Sequence, residues 1–170
     1  MEKNTKKLTA LALLTAVSLV LSYVEAILPF SLGIPGAKIG LPNIVTVVLL
    51  YTYGTAPAFF CALARIVLSS LLFGNLFAVL YSLSGFFLSF AVMVLLKKSG
   101  MFSTGGVSTA GGVAHNLGQL LLAALLAGRY VLSYFPVLCF AGTAAGAVIG
   151  AAGGLAERAV SGELRRRGLL

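Results

Sequence analysis

Successive apolar runs, several of them long enough to cross a lipid bilayer, make up most of this 170-residue chain. A run of about 20 apolar residues crosses the hydrocarbon layer as a helix, because that layer contains no water to bind backbone N–H and C=O groups. The chain is 59% hydrophobic and 9% charged, which leaves too few polar side chains to cover a water-soluble surface. The sequence therefore predicts an all-α integral membrane protein.

The breaks between these runs predict a single membrane domain, residues 1–170, that folds as a bundle of six transmembrane helices. Proline and glycine mark most of the breaks, notably in the loop at 29–40 and at Gly54. The second run, of about 13 residues, is shorter than a bilayer is thick. The expected spans are residues 8–28, 41–53, 55–73, 75–96, 106–127 and 131–157.

Basic residues predict the orientation of the bundle. Of the 12 Lys and Arg residues, Arg65 falls inside a span, whereas Lys38 and Arg129 fall on one side of the predicted bundle. All the others fall on the opposite side, and cytoplasmic loops are the ones enriched in Lys and Arg. We therefore expect both termini in the cytoplasm. Nucleic acid is not an expected partner, because the charges lie at helix ends rather than on one soluble surface.

Polar residues inside the predicted spans are the main candidates for a binding site, because ionisable groups at membrane depth are energetically costly. Arg65 lies midway along the third span, and Glu25, in the first, is its only acidic candidate partner within the spans. His115 and Gln119 share one face of the fifth span at an i, i+4 spacing, with Asn116 beside them. Arg65 favours a cavity role over an internal ion pair. His115 fits an interhelical hydrogen bond as well as a ligand contact.

Small residues at intervals of four predict close contacts between helices in lipid. The last span carries the series Gly142, Gly146, Gly150 and Gly154, and the first span carries the pair Ala12 and Ala16. Packing within this bundle is the favoured role of the glycine series. For the alanine pair, contact with a partner subunit is an equal alternative.

The residues that metal-dependent enzymes need are scarce. The chain contains 4 acidic residues, all Glu, too scattered to form the paired carboxylates that hold Mg²⁺ in diphosphate-using enzymes. The segment around Lys38 lacks the GxxxxGK[ST] spacing of a phosphate-binding loop. Cys61 and Cys139 lie in apolar runs, where a free cysteine behaves as a small hydrophobe. No catalytic residue, metal site, cofactor or intrinsic ATP hydrolysis is expected.

Four segments form a set that matches a known pattern. They are the alanine pair of the first span, GAKIGLPNIVTVVLLYTYG at 36–54, ARIVLSSLLFGN at 64–75 and GGVAHNLGQL at 111–120. Together they resemble the substrate-binding S components of energy-coupling factor (ECF) vitamin transporters. Within that superfamily they are most similar to the Gx transporter group, whose members often carry the name heptaprenyl diphosphate synthase component I.

The resemblance implies a six-helix subunit in a prokaryotic plasma membrane that captures a small vitamin-like or cofactor-precursor molecule for ATP-driven uptake. The partners it implies are a transmembrane coupling subunit, which Ala12 and Ala16 would face, and ATPase subunits. By position, the candidate substrate-binding residues that the resemblance implies are Lys38, Asn43, Arg65, Asn75, His115, Asn116, Gln119 and Arg129.

Three functions stay open at this level. The uptake subunit is favoured, with an anionic substrate, because Arg65 and Lys38 are both positive. A membrane component of isoprenoid (heptaprenyl) diphosphate synthesis would require metal ligands on a partner. A structural subunit without a ligand would leave Arg65 and His115 as packing residues. Asn43 and Asn75 lie near predicted helix ends, where polar side chains often serve as caps.

Overall fold

Six α-helices and one 3₁₀ helix build the protein over residues 2–27 and 39–166, which are the residues that the computed structural model describes. Five helical segments are long and apolar enough to cross a membrane, and α2 is too short to do so alone. This confirms an all-α bundle of the membrane type with five or six crossing helices. The elements are α1 (Glu2–Ile27), α2 (Asn43–Thr52), α3 (Thr55–Phe73), α4 (Leu76–Ser99), α5 (Thr104–Ala127), a 3₁₀ helix (Arg129–Tyr134) and α6 (Phe135–Arg166).

Local signals place most helix ends where the sequence predicts them. Gly54, with φ 92°, separates α2 from α3, and Gly100, with φ 69°, ends α4 in the left-handed conformation that glycine favours. Asn75 begins α4, because its side chain accepts a hydrogen bond of 2.8 Å from the backbone N–H of Ala78. Ser103 caps α5 in the same way. As a result, α3, α4 and α5 coincide closely with the predicted third, fourth and fifth spans.

The last span differs from its prediction at both ends. It begins as a 3₁₀ helix after Gly128, whose φ of 91° interrupts α-helical geometry. At its other end α6 continues past residue 157 to Arg166. This extension is charged and includes an i, i+3 pair between Glu163 and Arg166, with 4.0 Å between the charged atoms. Apolarity alone therefore predicted the membrane part of α6 and not its polar continuation.

The second predicted span is not a full crossing helix. The ten residues of α2 extend about 15 Å, half the thickness of a hydrocarbon layer of about 30 Å. Residues 39–42 precede α2 as a non-helical segment that lies against α1. Gly40 donates its N–H to Glu25, and Ser18 donates its hydroxyl to the carbonyl of Pro42 at 3.2 Å. Since Ser18 lies about two turns before Glu25 on α1, residues 39–42 run back into the bundle, and α2 starts at half its depth.

The helices run alternately, so that both described ends of the chain lie at the same end of the bundle. The rings of Tyr23 and Phe73 are 5.1 Å apart, near the ends of α1 and α3, which run side by side in the same direction. Lys97, at the end of α4, donates a hydrogen bond to the carbonyl of Leu50 in α2. Thr104, at the start of α5, packs near Gly154 in the second half of α6.

The glycine series of the last span packs inside the bundle, as predicted. A Cβ added at Gly146 would lie 2.7 Å from the Cα of Thr109 in α5, and one added at Gly150 would lie 2.8 Å from the Cα of Gly105. A Cβ at Gly142 would lie 2.8 Å from the carbonyl oxygen of Gly112. Any side chain at these positions would force α5 and α6 apart. Gly154 has a looser neighbourhood, with 3.8 Å to its nearest contacts.

Candidate functional site

A cavity of about 170 Å³ lies inside the bundle and is lined by residues of all six helices. It begins beside the 39–42 segment and the α3–α4 turn and extends between α2, α4, α5 and α6. Its walls carry polar groups at a depth where most neighbours are apolar. Five of the residues predicted to bind substrate line it together, namely Asn43, Arg65, His115, Asn116 and Gln119.

Arg65 supplies the positive charge of the cavity. It projects from α3, and its Nη2 donates a hydrogen bond of 3.1 Å to Oδ1 of Asn43, at the start of α2. Its Nε is buried and has no hydrogen-bond partner among the described residues. A buried guanidinium with an unused N–H donor is an energetically costly arrangement unless an acceptor reaches it. Arg65 thus brings a costly buried charge to the cavity wall.

Glu25 lines the same cavity and interacts electrostatically with Arg65. One of its carboxylate oxygens accepts the N–H of Gly40, so it also holds the 39–42 segment against α1. Sequence reasoning identified Glu25 as a counter-ion and did not include it among the binding residues. Its position as an acidic residue inside a predicted span was the signal that could have placed it there.

Three polar residues of α5 face the cavity opposite α3. Asn116 donates from Nδ2 to the carbonyl of Leu138 in α6 at 2.8 Å. His115 and Gln119 pack on Gly85 of α4, where an added Cβ would lie 2.7 Å from Cε1 of His115 and 2.9 Å from Cγ of Gln119. The absence of a side chain at Gly85 thus gives these two residues their space. His115 and Gln119 therefore share one face of α5, as their i, i+4 spacing predicts, and this face lines the cavity.

Hydroxyl groups and an apolar wall complete the lining, and sequence reasoning found neither. Ser22, Ser69, Ser82, Ser89 and Ser108 contribute hydroxyls from four different helices. Phe86, Phe90 and Met93 contribute an aromatic and thioether surface from α4. No signal in the sequence distinguishes these serines from others, because serine in a membrane helix commonly bonds its own backbone. Ser69 does so here, through the carbonyl of Ile66.

The remaining candidate binding residues lie elsewhere. Asn75 is exposed and serves as the cap of α4, and Arg129 is exposed in the 3₁₀ helix, so neither lines the cavity. Both were candidates by their position near the predicted outer end of the bundle. The cap hydrogen bond gives Asn75 a structural role there. Lys38 lies outside the residues that the structure describes.

Ala12 and Ala16 lie outside the cavity, on the exposed surface of α1. They line an open apolar groove between α1 and α3, to which α3 contributes Ala56, Pro57 and Ala64 among others. The lining combines small residues on both helices with larger ones such as Phe60 and Leu68, and small residues let another helix approach the backbone closely. Within the described residues, no group of three or more His, Cys, Asp or Glu side chains is arranged to hold a metal ion.

Comparison with known proteins gives one match. A family model described as heptaprenyl diphosphate synthase component I matches residues 14–155, which is more than half of the chain and includes every residue of the cavity lining. No curated protein and no solved structure matches the chain.

Proposed function

We propose, from the premise that this chain belongs to the heptaprenyl diphosphate synthase component I family, that it is the substrate-binding membrane subunit of an ECF-type transporter. In this role it captures a small vitamin-like or cofactor-precursor molecule, anionic in character, and partner subunits drive its uptake with ATP. The family is a membrane component of the Gx type rather than a catalytic subunit. The resemblance of the segments at 36–54, 64–75 and 111–120 to S components supports the same function.

The observation that carries the proposal is the polar cavity inside an apolar bundle. Buried polar groups in a membrane protein are costly, and Arg65 retains an N–H without a partner among the described residues. A bound anion in the cavity would offset the cost of burying this charge. A purely structural bundle would gain nothing from keeping this space open.

The cavity also bears on the alternative, a membrane component of heptaprenyl diphosphate synthesis. A volume of about 170 Å³ is close to that of an engineered cavity of about 150 Å³ that binds benzene. A diphosphate with a long prenyl chain is several times larger. The cavity therefore favours a small polar ligand over a polyprenyl substrate.

The groove between α1 and α3 supports an interaction with a coupling subunit. Ala12 and Ala16 are exposed there, and the neighbouring surface of α3 is also made of small and apolar residues. The docking helix would belong to the transmembrane coupling subunit, and the ATPase subunits would bind that subunit on its cytoplasmic side. The common end of the bundle that holds Lys6, Lys7, Lys97 and Lys98 is, in this proposal, the cytoplasmic face of a prokaryotic plasma membrane.

Native mass spectrometry tests the binding role. The protein released from detergent should carry a co-purified small anionic molecule, and Arg65→Gln should lose most of it. Arg129→Gln is the matched control, because it removes an exposed Arg that does not line the cavity. Equal occupancy in a folded Arg65→Gln variant, or a neutral lipid as the only bound molecule, would refute the proposal.

A further inference from the structure

We infer that the ligand of the cavity is a single-ring monocarboxylate with an N–H or O–H donor on the side of the ring opposite the carboxylate. The inference rests on the proposed function, because it names the substrate class of the same cavity. It follows from the direction of the free hydrogen-bonding groups, the balance of charge, the volume and the apolar wall.

The groups at the α2–α3 side of the cavity are donors. Asn43 uses its Oδ1 to accept from Arg65, so the group it has left for a ligand is its Nδ2 amide. Arg65 lines the cavity and carries a positive charge on its N–H donors. Two donors, one of them charged, select an acceptor that is itself anionic. The negative end of the ligand therefore lies at Asn43 and Arg65.

Asn116 offers an acceptor at the α5 side. One N–H of its Nδ2 donates to the carbonyl of Leu138, and this bond orients the side chain and leaves its Oδ1 as an acceptor for a ligand. In the bundle α3 packs on α1, α2 and α4, whereas α5 packs on α4 and α6, so Arg65 and Asn116 approach the cavity from different sides. A ligand that meets both must accept at one end and donate at the other.

The charges select a carboxylate over a phosphate. Glu25 lines the same cavity as Arg65 and carries the opposite charge, so it offsets part of the positive charge that a ligand would meet. A carboxylate adds one negative charge, whereas a phosphate monoester adds about 1.5 to 2. The second negative charge would be repelled by Glu25, and this repulsion is strong in a poorly solvated site.

The volume and the wall select one ring. The cavity measures about 170 Å³, and an apolar cavity of about 150 Å³ is enough to bind benzene. Phe86, Phe90 and Met93 form one wall. Aromatic faces and a thioether pack well against a flat ring. A single ring with a charged substituent therefore fits this space and this wall.

Four small commercial compounds test these requirements one at a time. Their binding is measured by isothermal titration calorimetry on the full chain in lipid nanodiscs. They are 4-aminobenzoate, which has the carboxylate, the ring and the donor; benzoate, which lacks the donor; benzamide, which lacks the charge; and phenyl phosphate, which carries a second charge. We expect 4-aminobenzoate to bind most tightly, and benzoate to bind about fivefold more weakly for the loss of one hydrogen bond. Benzamide and phenyl phosphate should bind about tenfold more weakly than 4-aminobenzoate, or worse.

Two variants test the assignment of each end. Arg65→Gln should abolish the preference for benzoate over benzamide, and Asn116→Leu should abolish the preference for 4-aminobenzoate over benzoate. Arg129→Gln should keep the whole order, and the melting temperature of each variant shows whether it is folded. If Asn116→Leu fails to fold, the Arg65→Gln comparison still decides the anionic end.

Several results would overturn the inference. They are phenyl phosphate or benzamide binding as tightly as 4-aminobenzoate, an unchanged order in folded Arg65→Gln, or no binding by any of the four probes at millimolar concentration. In those cases a co-purified molecule of another class, lost in Arg65→Gln, would leave the proposed function standing. The absence of any small molecule together with no assembly with a coupling subunit would instead refute the function.

Discussion

Arg65 and Asn43 are joined by a hydrogen bond of 3.1 Å between Nη2 and Oδ1, which links the middle of α3 to the first turn of α2. The bond crosses 22 positions of sequence. The bond uses Oδ1, the acceptor atom of the Asn43 side chain, and the N–H groups of Nδ2 therefore point away from Arg65. Two residues that the sequence suggested separately thus form one unit in the cavity wall. A binding role for Asn43 can therefore be tested by comparing its substitution with the same substitution at Asn75.

Asn43→Ala and Asn75→Ala form a matched pair of amide deletions with different expected effects. Asn43→Ala should weaken binding of the anionic ligand by about fivefold or more, because it removes a donor and frees Arg65. Asn75→Ala should leave affinity unchanged and lower the free energy of unfolding by about 1 kcal/mol, because it removes the cap of α4. Ligand titration and thermal unfolding in detergent measure the two effects. Loss of affinity in Asn75→Ala would contradict the assignment.

Ala12→Leu combined with Ala16→Leu should reduce co-purification with the coupling subunit, because two larger side chains would fill the groove between α1 and α3. Ligand binding should persist, since neither residue lines the cavity. Ala147→Leu with Ala151→Leu is the control, since these exposed alanines have the same spacing on α6. Pull-down from cells that express all subunits gives the measurement. Undiminished assembly of the α1 variant would show that the docking surface lies elsewhere.

Ser133→Cys and Ser99→Cys, each in a background without Cys61 and Cys139, should label differently in intact cells. Both positions are exposed and lie at opposite ends of the bundle. A membrane-impermeant maleimide should reach only Ser133→Cys, because the positive-inside rule places the lysine-rich end in the cytoplasm. Both should label after the cells are permeabilised. Selective labelling of Ser99→Cys would invert the proposed topology.

Gly112→Ala should destabilise the bundle by about 1–3 kcal/mol, because the new methyl group would collide with the carbonyl of Gly142 across the α5–α6 contact. Gly162→Ala is the control, since a Cβ there meets nothing within 4 Å. It should be neutral or slightly stabilising, because alanine favours a helix more than glycine does. Thermal unfolding in detergent compares the two. Equal melting temperatures would mean that α5 and α6 have room to separate.

The positions of the long helices could be predicted from the sequence alone. Apolar runs, glycine breaks and capping residues such as Asn75 are local properties, and a helix in lipid satisfies its own backbone. Close packing of the face with Gly142, Gly146 and Gly150 inside the bundle could also be predicted, because small residues let helices approach closely in lipid. That α5 is its partner comes from the structure. The polar face of His115 and Gln119 followed from helical spacing in the same way.

The depth of α2 and the membership of the site were decided by the tertiary structure. Hydropathy predicts a span at 41–53 but not where it starts within the bundle. The contacts of Glu25 with Gly40 and of Ser18 with Pro42 show that the chain enters the bundle before α2 begins. Asn43 and Asn75 are the same residue type near the start of a helix, yet one meets Arg65 and the other meets solvent. Sequence determines what each segment does with its own backbone, because those hydrogen bonds are local. Which side chains converge on a cavity depends on the packing of distant helices, and that information is not held in any one segment.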